Sequence, residues 1–314
     1  MCILDQRRSR GKLHLGEGAV YNGVVSDARR LSDGLSSAEI ADLNRRPAAT
    51  PWRSALEQST SSRVRGAAAW LGNLDRANWY LLLPTSAEAT VLEVGAGLGT
   101  VTHALALAYR RVLALEPTAE RVRFMHRRFA EERLANVDVI QGSLVDLPLR
   151  RESVDLAVLN GVLGWADFGE SAGLGESRRR APATRRRMLE NVRAVTKPGG
   201  LVYLGVGNRW TLGGGGLRQR AVWASLRGYR KLLEASGYSE IRIWCALPSH
   251  DDPQFIVAHE QRAFDHFLRV LAARPRTAAR RLASSALNSL GLLKHMTRSF
   301  CIVGRRGPGP SHAP

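Results

Sequence analysis

Short apolar runs alternate with helical patterns through the central part of the chain. Apolar runs bounded by turn residues are typical of buried strands, whereas apolar residues spaced three or four positions apart indicate helices. Because strands and helices alternate, we predict an α/β fold with a doubly wound, mostly parallel seven-stranded sheet. The predicted strands are residues 90–94, 111–115, 137–141, 154–159, 201–206, 240–247 and 299–303.

The flanking segments differ from this regular core. Residues 1–60 are rich in Arg, Ser, Ala and Gly and have weak periodicity, with one short helix expected near 37–44. A helical pattern over 63–83 predicts a cover over the mouth of a site in the core. We therefore expect a poorly ordered extension over 1–60, one domain over 61–305 with a basic helical insertion at 259–295, and a flexible tail over 306–314.

The chain is long enough and apolar enough to form a full α/β core, and it carries a large positive charge. The chain has 314 residues, of which 44% are hydrophobic, and a net charge of +18. Such a charge is compatible with a nucleic-acid partner. However, lysine occurs only at positions 12, 197, 231 and 294, and the many arginines are dispersed. A nucleic-acid partner is therefore allowed but not favoured over acidic groups on a smaller acceptor or a solvated basic surface.

Cysteine spacing and the length of apolar runs bear on location. Cys2, Cys245 and Cys301 have neither metal-ligand spacing nor an even disulfide framework, so we expect no metal site and a reducing compartment. No apolar run reaches the roughly 18 residues that a membrane helix needs, and the first residues lack the apolar segment of a signal peptide. A cytoplasmic location is the expectation, and the oligomeric state stays open.

A glycine-rich turn follows the first predicted strand and precedes an apolar helical run. Gly95, Gly97 and Gly99 stand in a Gly-x-Gly-x-Gly pattern, whereas the dinucleotide fingerprint is Gly-x-Gly-x-x-Gly. Glycines allow a ligand to approach the backbone where a Cβ would collide. Glu93 precedes the turn, where a carboxylate would repel a pyrophosphate but suits a cationic amino acid group. Glu116 ends the second predicted strand, where it can accept hydrogen bonds from ribose hydroxyls.

The turn and the two acids together resemble motif I of the class I S-adenosylmethionine-dependent methyltransferases. Segments 142–148, 153–158 and 189–200 are similar to later motifs of this family, so the resemblance covers residues 75–250. It implies a Rossmann-like sheet, an activity in methyl transfer, and S-adenosylmethionine as the cofactor. Segments 160–165, 203–210 and 247–253 further resemble a bacterial subgroup that is often associated with polysaccharide or glycoconjugate biosynthesis.

The resemblance also implies roles for individual residues around the cofactor. Glu93 would orient the amino group, the glycine turn would let the amino acid portion lie close, and Glu116 would hold both ribose hydroxyls. Ser143 departs from the family pattern, in which an Asp usually stands at this position and binds the adenine amino group. The implied cofactor-binding residues are Glu93, Gly95, Ala96, Gly97, Gly99, Glu116, Pro117, Ser143, Leu144 and Asn160.

A methyl donor that is already activated needs alignment with its acceptor rather than a protein nucleophile. A hydroxyl acceptor still benefits from a general base. The candidates are His250, Asp251 and Asp167, all expected in loops at the carboxyl ends of the strands, and His250 is favoured because imidazole is a common base near neutral pH. A lone loop histidine is nevertheless often structural. Candidate walls of the acceptor pocket are Trp165, Asn208, Arg209 and Trp210.

Three functions remain open at this point. The first is O-methylation of a sugar, a glycoconjugate precursor or a related small metabolite. The second is RNA methylation through the basic surface, although the chain shows no separate RNA-binding module and only 6% aromatic residues. The third is a scaffold without catalysis, against which the intact glycine turn and ribose acid argue. The sequence Asn160-Gly161, rather than Asn-Pro-Pro-aromatic, makes methylation of an adenine or glutamine nitrogen less favoured.

Overall fold

The computed structural model describes residues 35–47, 49–145, 147–164, 174–211, 223–270 and 278–307, with backbone alone at 174–179 and 278–283. An eight-stranded mixed sheet forms its centre, in the order β3-β2-β1-β4-β5-β8-β6-β7. The strands are β1 Thr90–Val94, β2 Arg111–Glu116, β3 Val137–Gln141, β4 Val154–Asn160, β5 Thr196–Gly207, β6 Tyr238–Ser249, β7 Asp252–Ala258 and β8 Ser299–Arg306.

The sheet joins a parallel half to an antiparallel half. Neighbours among β1 to β5 pair in parallel, whereas β8 pairs antiparallel with β5 and β6, and β6 pairs antiparallel with β7. The predicted Rossmann-like sheet is thus confirmed, but the prediction of seven strands is wrong by one. The strand order reverses between β1 and β4, the point at which open α/β sheets bind their ligands.

The eighth strand, β7, lies at the edge of the sheet and forms a hairpin with β6. Its apolar run, Phe255 to Ala258, is only four residues long, and most residues of the strand are half-buried or exposed, so the signal of a buried strand is weak. Pro253, near its start, also favours a turn in the sequence, although an edge strand tolerates proline. Because of these two features, the sequence pattern does not predict β7 as a strand.

Helices cover both faces of the sheet. In the described part of the chain they are α1 Ser37–Arg45, α2 Trp52–Glu57, α3 Ser62–Gly72, α4 Thr100–Ala108, α5 Ala119–Glu131, α6 Leu174–Val195, α7 Leu226–Ala235, α8 Gln261–Val270 and α9 Ala278–Ser289. Short 3₁₀ segments lie at Leu74–Leu82, Val162–Gly164 and Leu293–Met296. None of these helices is both long and apolar enough to cross a lipid bilayer.

Alternate residues of the strands enter two separate apolar layers. Leu92 and Val94 of β1 pack in the layer that also receives α6 and α7, whereas Val91 packs in the layer that receives α4. This alternation is what the period of two in a strand requires. Trp79 of the 3₁₀ segment stacks on Tyr203 of β5 with ring centroids 3.7 Å apart, so the segment is fixed against the second layer.

Residues 35–82 form a helical cover, which we define as α1, α2, α3 and the following 3₁₀ segment. The buried side chains of α1, α2 and α3, among them Leu43, Leu56 and Leu71, make one apolar cluster with Leu98 and with Phe124 of α5. The short helix expected near 37–44 is confirmed as α1. The expectation of a poorly ordered extension up to residue 60 is wrong from residue 35 onward, because these apolar side chains bury against α5. Residues 1–34 and 308–314 lie outside the described part.

Arg128 of α5 ties this cover to the glycine turn. It is fully buried, and its guanidinium donates to the carbonyl oxygens of Leu98 at 2.9 Å and Leu71 at 3.1 Å. The carboxylate of Glu132 receives its Nε–H at 3.0 Å. Removing one partner of a buried charged network leaves the others unsatisfied, which is strongly destabilising.

We expect Arg128→Met to lower the free energy of unfolding by about 3–5 kcal/mol, because Glu132 and two buried carbonyl groups lose their donor. Chemical denaturation would measure the change. The matched control is Arg123→Met on the same helix, whose side chain is 66% exposed and whose loss should cost less than about 0.5 kcal/mol. Equal effects of the two substitutions would contradict the role given to Arg128.

Candidate functional site

The glycine turn links β1 to α4 with three residues in the left-handed region. The φ angles of Gly95, Gly97 and Gly99 are 71°, 60° and 83°. A Cβ on Gly95 would lie 2.9 Å from Cγ2 of Val162, and one on Gly99 would collide with the ring of Phe129. Both positions therefore require glycine, on conformational and on steric grounds. The backbone N–H of Gly95 donates to the carbonyl oxygen of Leu115 at 2.8 Å, which joins the turn to β2.

A cavity opens at this turn, where the strand order reverses. The glycine turn and Glu93 line one part of it, and Asn160 at the end of β4 also contributes. Trp70 and Arg76 of the helical cover line it as well. The cover predicted over the mouth of the site is thus confirmed.

Glu93 is buried in this cavity, with 4% of its surface exposed. Its Oε2 accepts a hydrogen bond from Oγ1 of Thr102 in α4 at 2.5 Å. Burial raises the pKa of the Glu93 carboxyl to about 8, although the Thr102 hydroxyl and the positive charge of Arg76 oppose the shift. Near neutral pH the carboxyl is therefore largely protonated until a cation comes close to it.

Glu116 is also buried, at the end of β2 on the other side of the glycine turn. Its carboxylate accepts the backbone N–H groups of Gly97 and Thr118, each at 3.1 Å. Burial raises the pKa of Glu116, and the charge of Arg121 opposes this. Because a carboxylate has about four acceptor sites, the two backbone contacts orient it and leave acceptor capacity for hydroxyl donors.

These residues fit the cofactor that the resemblance implies. Gly95 and Gly97 line the cavity, so a ligand there can lie close to the backbone, and Glu93 offers a buried carboxyl to a cationic group. The side-chain oxygen of Asn160 is buried without a hydrogen-bond partner, so a donor on a ligand would satisfy it. The chemistry of the cavity therefore suits an amino acid moiety with a positive charge.

His250 and Asp251 lie in the turn between β6 and β7, close to the end of β4. His250 exposes only 7% of its surface, and its backbone N–H donates to Oγ of Ser299 at 2.8 Å. Its Nε2 lies 3.6 Å from Oδ1 of Asp251, and its Nδ1 is buried without a hydrogen-bond partner. Asp251 lines the cavity. His250 lies next to Asp251 but does not itself line the cavity in the described part of the chain, and the roles of both residues as bases stay predictions. Asp167 lies outside the described residues.

The residues predicted near the adenine do not line the cavity in the described part of the chain. Ser143 accepts the backbone N–H of Val145 at 3.2 Å, which uses its hydroxyl oxygen in a local turn. Leu144 packs its side chain in the apolar layer with α6, and Pro117 accepts a hydrogen bond from the side chain of Gln141. Adenine contacts by Pro117, Ser143 and Leu144 stay predictions.

The predicted walls of the acceptor pocket have different environments. The Asn208 side-chain amide donates to the carbonyl oxygens of His295 and Thr297 at 2.8 and 2.7 Å. Its side chain therefore fastens the end of β5 to the segment before β8, and the prediction that it forms a pocket wall is wrong. Trp210 is 63% exposed, and the Arg209 backbone N–H donates to Ala224. Trp165 lies outside the described residues.

Two residues near the site were not predicted from the sequence. Arg76 reaches the cavity from the cover, and its only sequence signal is a place in a helical pattern. Trp223 lies against Gly207 of β5, and its Nε1 would be 3.3 Å from a Cβ on Gly164. Both come from segments without a motif, because long-range packing and not local spacing brings them to the carboxyl ends of the strands.

Comparison with known proteins supports a functional site at the glycine turn. Residues 92–204 match a family model described as a methyltransferase domain. The chain is 36% identical over 80 residues to a probable ribosomal RNA small subunit methyltransferase A of Methanosarcina acetivorans, which covers 25% of this chain and 28% of that protein. It is 27% identical over 165 residues to a malonyl-(acyl-carrier protein) O-methyltransferase of Pectobacterium atrosepticum, which covers 52% and 55%. The chain thus spans about half the length of these relatives or less.

Solved structures with a similar fold include the YcgJ protein of Bacillus subtilis, with 17% identity and a TM-score of 0.44 over 75% of this chain and 99% of that one. A SAM-dependent methyltransferase of Aquifex aeolicus has 17% identity and a TM-score of 0.45 over 68% and 93% of the two chains. Likeness at this level carries no conclusion about activity.

Proposed function

We propose that this chain is a class I S-adenosylmethionine-dependent methyltransferase, that residues 92–204, which match a methyltransferase domain, bind the cofactor, and that the chain methylates an oxygen of a sugar, a glycoconjugate precursor or a related small metabolite. S-adenosylmethionine is the cofactor of that domain. The observation that carries the proposal is the cavity at the glycine turn, which joins the buried carboxyl of Glu93 to the turn that holds His250 and Asp251.

The chain's own residues would hold the cofactor at both ends of the glycine turn. Glu93 would bind its ammonium group, Glu116 its ribose hydroxyls, and Asn160 a donor of its amino acid portion. When bound, the cofactor supplies a methyl group, whose bond to sulfur breaks as its bond to the acceptor oxygen forms, leaving S-adenosylhomocysteine. The protein lowers the barrier mainly by aligning the two reactants and excluding water.

At the acceptor side, His250 would take the proton of the hydroxyl group. Asp251 lies 3.6 Å from Nε2 of His250, so its negative charge favours a proton on that nitrogen. The other nitrogen, Nδ1, then remains as the atom that accepts the acceptor's proton. A general base is required because a neutral hydroxyl is a weak nucleophile. Trp223, beside the end of β5, would stack on the face of the acceptor.

A second candidate is RNA methylation. It draws support from the net charge of +18 and from the 80-residue similarity to the ribosomal RNA methyltransferase relative. The longer similarity, to the O-methyltransferase relative, favours an oxygen acceptor instead. Salt dependence separates the two, since binding to RNA weakens steeply as phosphate counterions compete.

A transfer assay with S-adenosylmethionine labelled in its methyl group tests the proposal. The acceptor panel would contain nucleotide sugars, sugar-lipid precursors, hydroxylated small metabolites, acyl thioesters with a free carboxyl group, and ribosomal RNA. We expect label in hydroxyl acceptors and none with Glu93→Gln. Transfer to RNA alone would favour the second candidate. Absence of transfer to every acceptor, with the cofactor bound, would favour a scaffold without catalysis.

Cofactor affinity is expected to rise with pH below about 8. Since burial raises the pKa of Glu93 to about 8, the free protein must release a proton before this carboxyl can bind an ammonium group. The gain approaches tenfold per pH unit below that value and ends near pH 8, where an α-amino group begins to lose its own charge. Titration with S-adenosylhomocysteine between pH 6 and 8 would measure it. A flat profile would show that Glu93 does not change its charge on binding.

A further inference from the structure

Two helices on one face of the sheet, α7 and α8, carry an excess of exposed cations. Both pack in the same apolar layer, α7 through Tyr229 and α8 through Phe264, so their outer surfaces look out on the same side of the molecule. The exposed charged residues of α7 are three cations and one acid, namely Arg227, Arg230, Lys231 and Glu234.

The exposed stripe of α8 is also basic. Arg262, His266 and Arg269 follow one another at spacings of four and three residues, which places them on one side of the helix, and all three are exposed. Phe264 is buried against the sheet. Within α8 the described part of the chain contains no exposed acid, and Glu260 stands directly before the helix. We define the outer surfaces of α7 and α8 as the basic face.

The positive charges of the two helices act on each other's surroundings. Burial, His295, Lys294 and Arg230, in that order of size, together lower the pKa of His259 to about 4. Arg230 belongs to α7, whereas His259 stands two residues before α8. The cations of α7 and α8 therefore lie near enough to act on one partner.

The opposite face of the sheet has no such excess. It is covered by α4 and α5, whose exposed Arg and Glu side chains are Arg123 and Glu131, one of each sign. Arginines that are dispersed along the sequence are thus concentrated by the fold on one side of the molecule. A surface with this charge complements an anionic partner.

Exposed aliphatic side chains at both ends of α8 indicate which anionic partner fits. Val270, its last residue, is 63% exposed. Leu290 and Leu292 are also exposed, and they flank Gly291, at which a Cβ would lie 3.4 Å from Oε1 of Gln261 at the start of α8. Cations next to exposed aliphatic groups are typical of surfaces that bind acidic bilayers. Single-stranded RNA instead needs exposed aromatic rings for stacking, whereas the aromatic rings of α7 and α8 are buried.

We propose that the basic face docks this chain on a phospholipid bilayer that contains acidic lipids. For the acceptor, this inference rests on the proposed function and narrows it to sugar-lipid precursors held in such a bilayer. Phe267 of α8 packs on Phe255 of β7 with ring centroids 5.3 Å apart, four residues beyond Asp251. The docked helix therefore lies beside the hairpin whose turn holds the predicted base, so a lipid-linked hydroxyl group would reach this turn from the bilayer surface.

Cosedimentation of the full chain with lipid vesicles tests the docking. Vesicles of phosphatidylcholine mixed with phosphatidylglycerol should bind the chain more than about tenfold better than vesicles of phosphatidylcholine alone, and salt should weaken this binding. Arg262→Gln combined with Arg269→Gln should lower the partition coefficient roughly 10- to 30-fold, about fivefold for each cation.

Two further double variants separate the basic face from net charge and from nucleic acid. Arg110→Gln with Arg123→Gln removes the same charge from side chains that are 72% and 66% exposed elsewhere, and should change vesicle binding less than about twofold. Leu290→Ser with Leu292→Ser should weaken vesicle binding roughly 3- to 10-fold. It should leave binding to ribosomal RNA unchanged. All these side chains are exposed, so thermal unfolding should confirm intact folds.

Separate outcomes would overturn the inference and the proposed function. Equal binding to neutral and acidic vesicles, equal losses in the α8 variant and its Arg110/Arg123 control, or binding to RNA without binding to vesicles would each overturn the docking. Methyl transfer to soluble hydroxyl acceptors by a chain that binds no vesicles would do so as well, and would leave the proposed function standing. A chain that binds acidic vesicles but no S-adenosylmethionine would instead reject the proposed function and keep the docking face.

Discussion

Replacing Glu93 by glutamine is expected to weaken the binding of S-adenosylmethionine roughly 30- to 5000-fold. The substitution removes the negative charge that would face the ammonium group, and loss of one partner of a buried charged pair costs about 2–5 kcal/mol. Glutamine has almost the same shape, and its side-chain oxygen can still accept the Thr102 hydroxyl. Calorimetric titration of both proteins would give the ratio of dissociation constants.

The fold should survive this substitution, which makes the result easy to interpret. With a pKa of about 8, the Glu93 carboxyl of the free protein is mostly neutral at pH 7, and glutamine imitates that neutral form. Thermal unfolding without ligand should therefore change little. Glu88→Gln is the matched control, because its side chain is 78% exposed and lies away from the cavity. Unchanged affinity in Glu93→Gln would mean that the ammonium group binds elsewhere.

Replacing His250 by glutamine is expected to lower kcat for a hydroxyl acceptor about 100- to 10,000-fold, the range typical of a lost general base. Glutamine keeps a polar side chain at this position but lacks the ring nitrogen that would take the acceptor's proton. Binding of the cofactor should stay within about threefold, because His250 packs beside Asn160 and Gly205 without lining the cavity. Single-turnover rates with the best acceptor would measure the effect.

An exposed histidine supplies the comparison for this experiment. His126 of α5 lies on the surface, so His126→Gln should leave both kcat and cofactor binding unchanged. Comparison of kcat with cofactor affinity adds a readout that separates the two roles, since loss of a base lowers kcat alone. If kcat falls only as far as stability does, then His250 packs the β6–β7 turn and another group activates the acceptor.

The glycine turn and the parallel strands could be predicted from the sequence because their signals are local. Strand, glycines and helix follow one another within a few residues, and Glu93 and Glu116 stand at fixed places in that pattern. The structure places Glu93 in the wall of the cavity and the Glu116 carboxylate on the backbone N–H of Gly97, although Glu116 does not itself line the cavity in the described part of the chain. Local geometry of this kind depends on steric contacts along the backbone, and consecutive residues are therefore enough to predict it.

The rest of the site depends on contacts between distant parts of the chain. Arg76 donates to the backbone carbonyl oxygen of Asp251, which lies 175 positions away in the sequence. Its place in the cavity wall follows from packing against Trp70 and not from a motif. The sequence predicts Asn208 in the wall of the acceptor pocket, yet its side-chain amide donates to the carbonyl oxygens of residues 87 and 89 positions away. Spacing along the chain cannot reveal such pairings, since tertiary packing decides them.

The stability of the helical cover also depends on a residue that the sequence does not single out. Arginines are numerous along the whole chain, so nothing in the composition distinguishes Arg128 from its neighbours. In the structure it is fully buried and holds the carbonyl groups of Leu71 and Leu98, both of which line the cavity. Arg128, which the sequence alone would place on the solvated surface, thus holds two residues of the cavity wall in position.

The central claim, that the cavity at the glycine turn receives S-adenosylmethionine, is tested most directly by calorimetric titration of the full chain near pH 8 with this cofactor and with S-adenosylhomocysteine. We predict that each ligand binds at one site per chain and that Glu93→Gln weakens both. Folded protein that gives no binding heat with either ligand, and whose thermal unfolding neither ligand shifts, would contradict the claim.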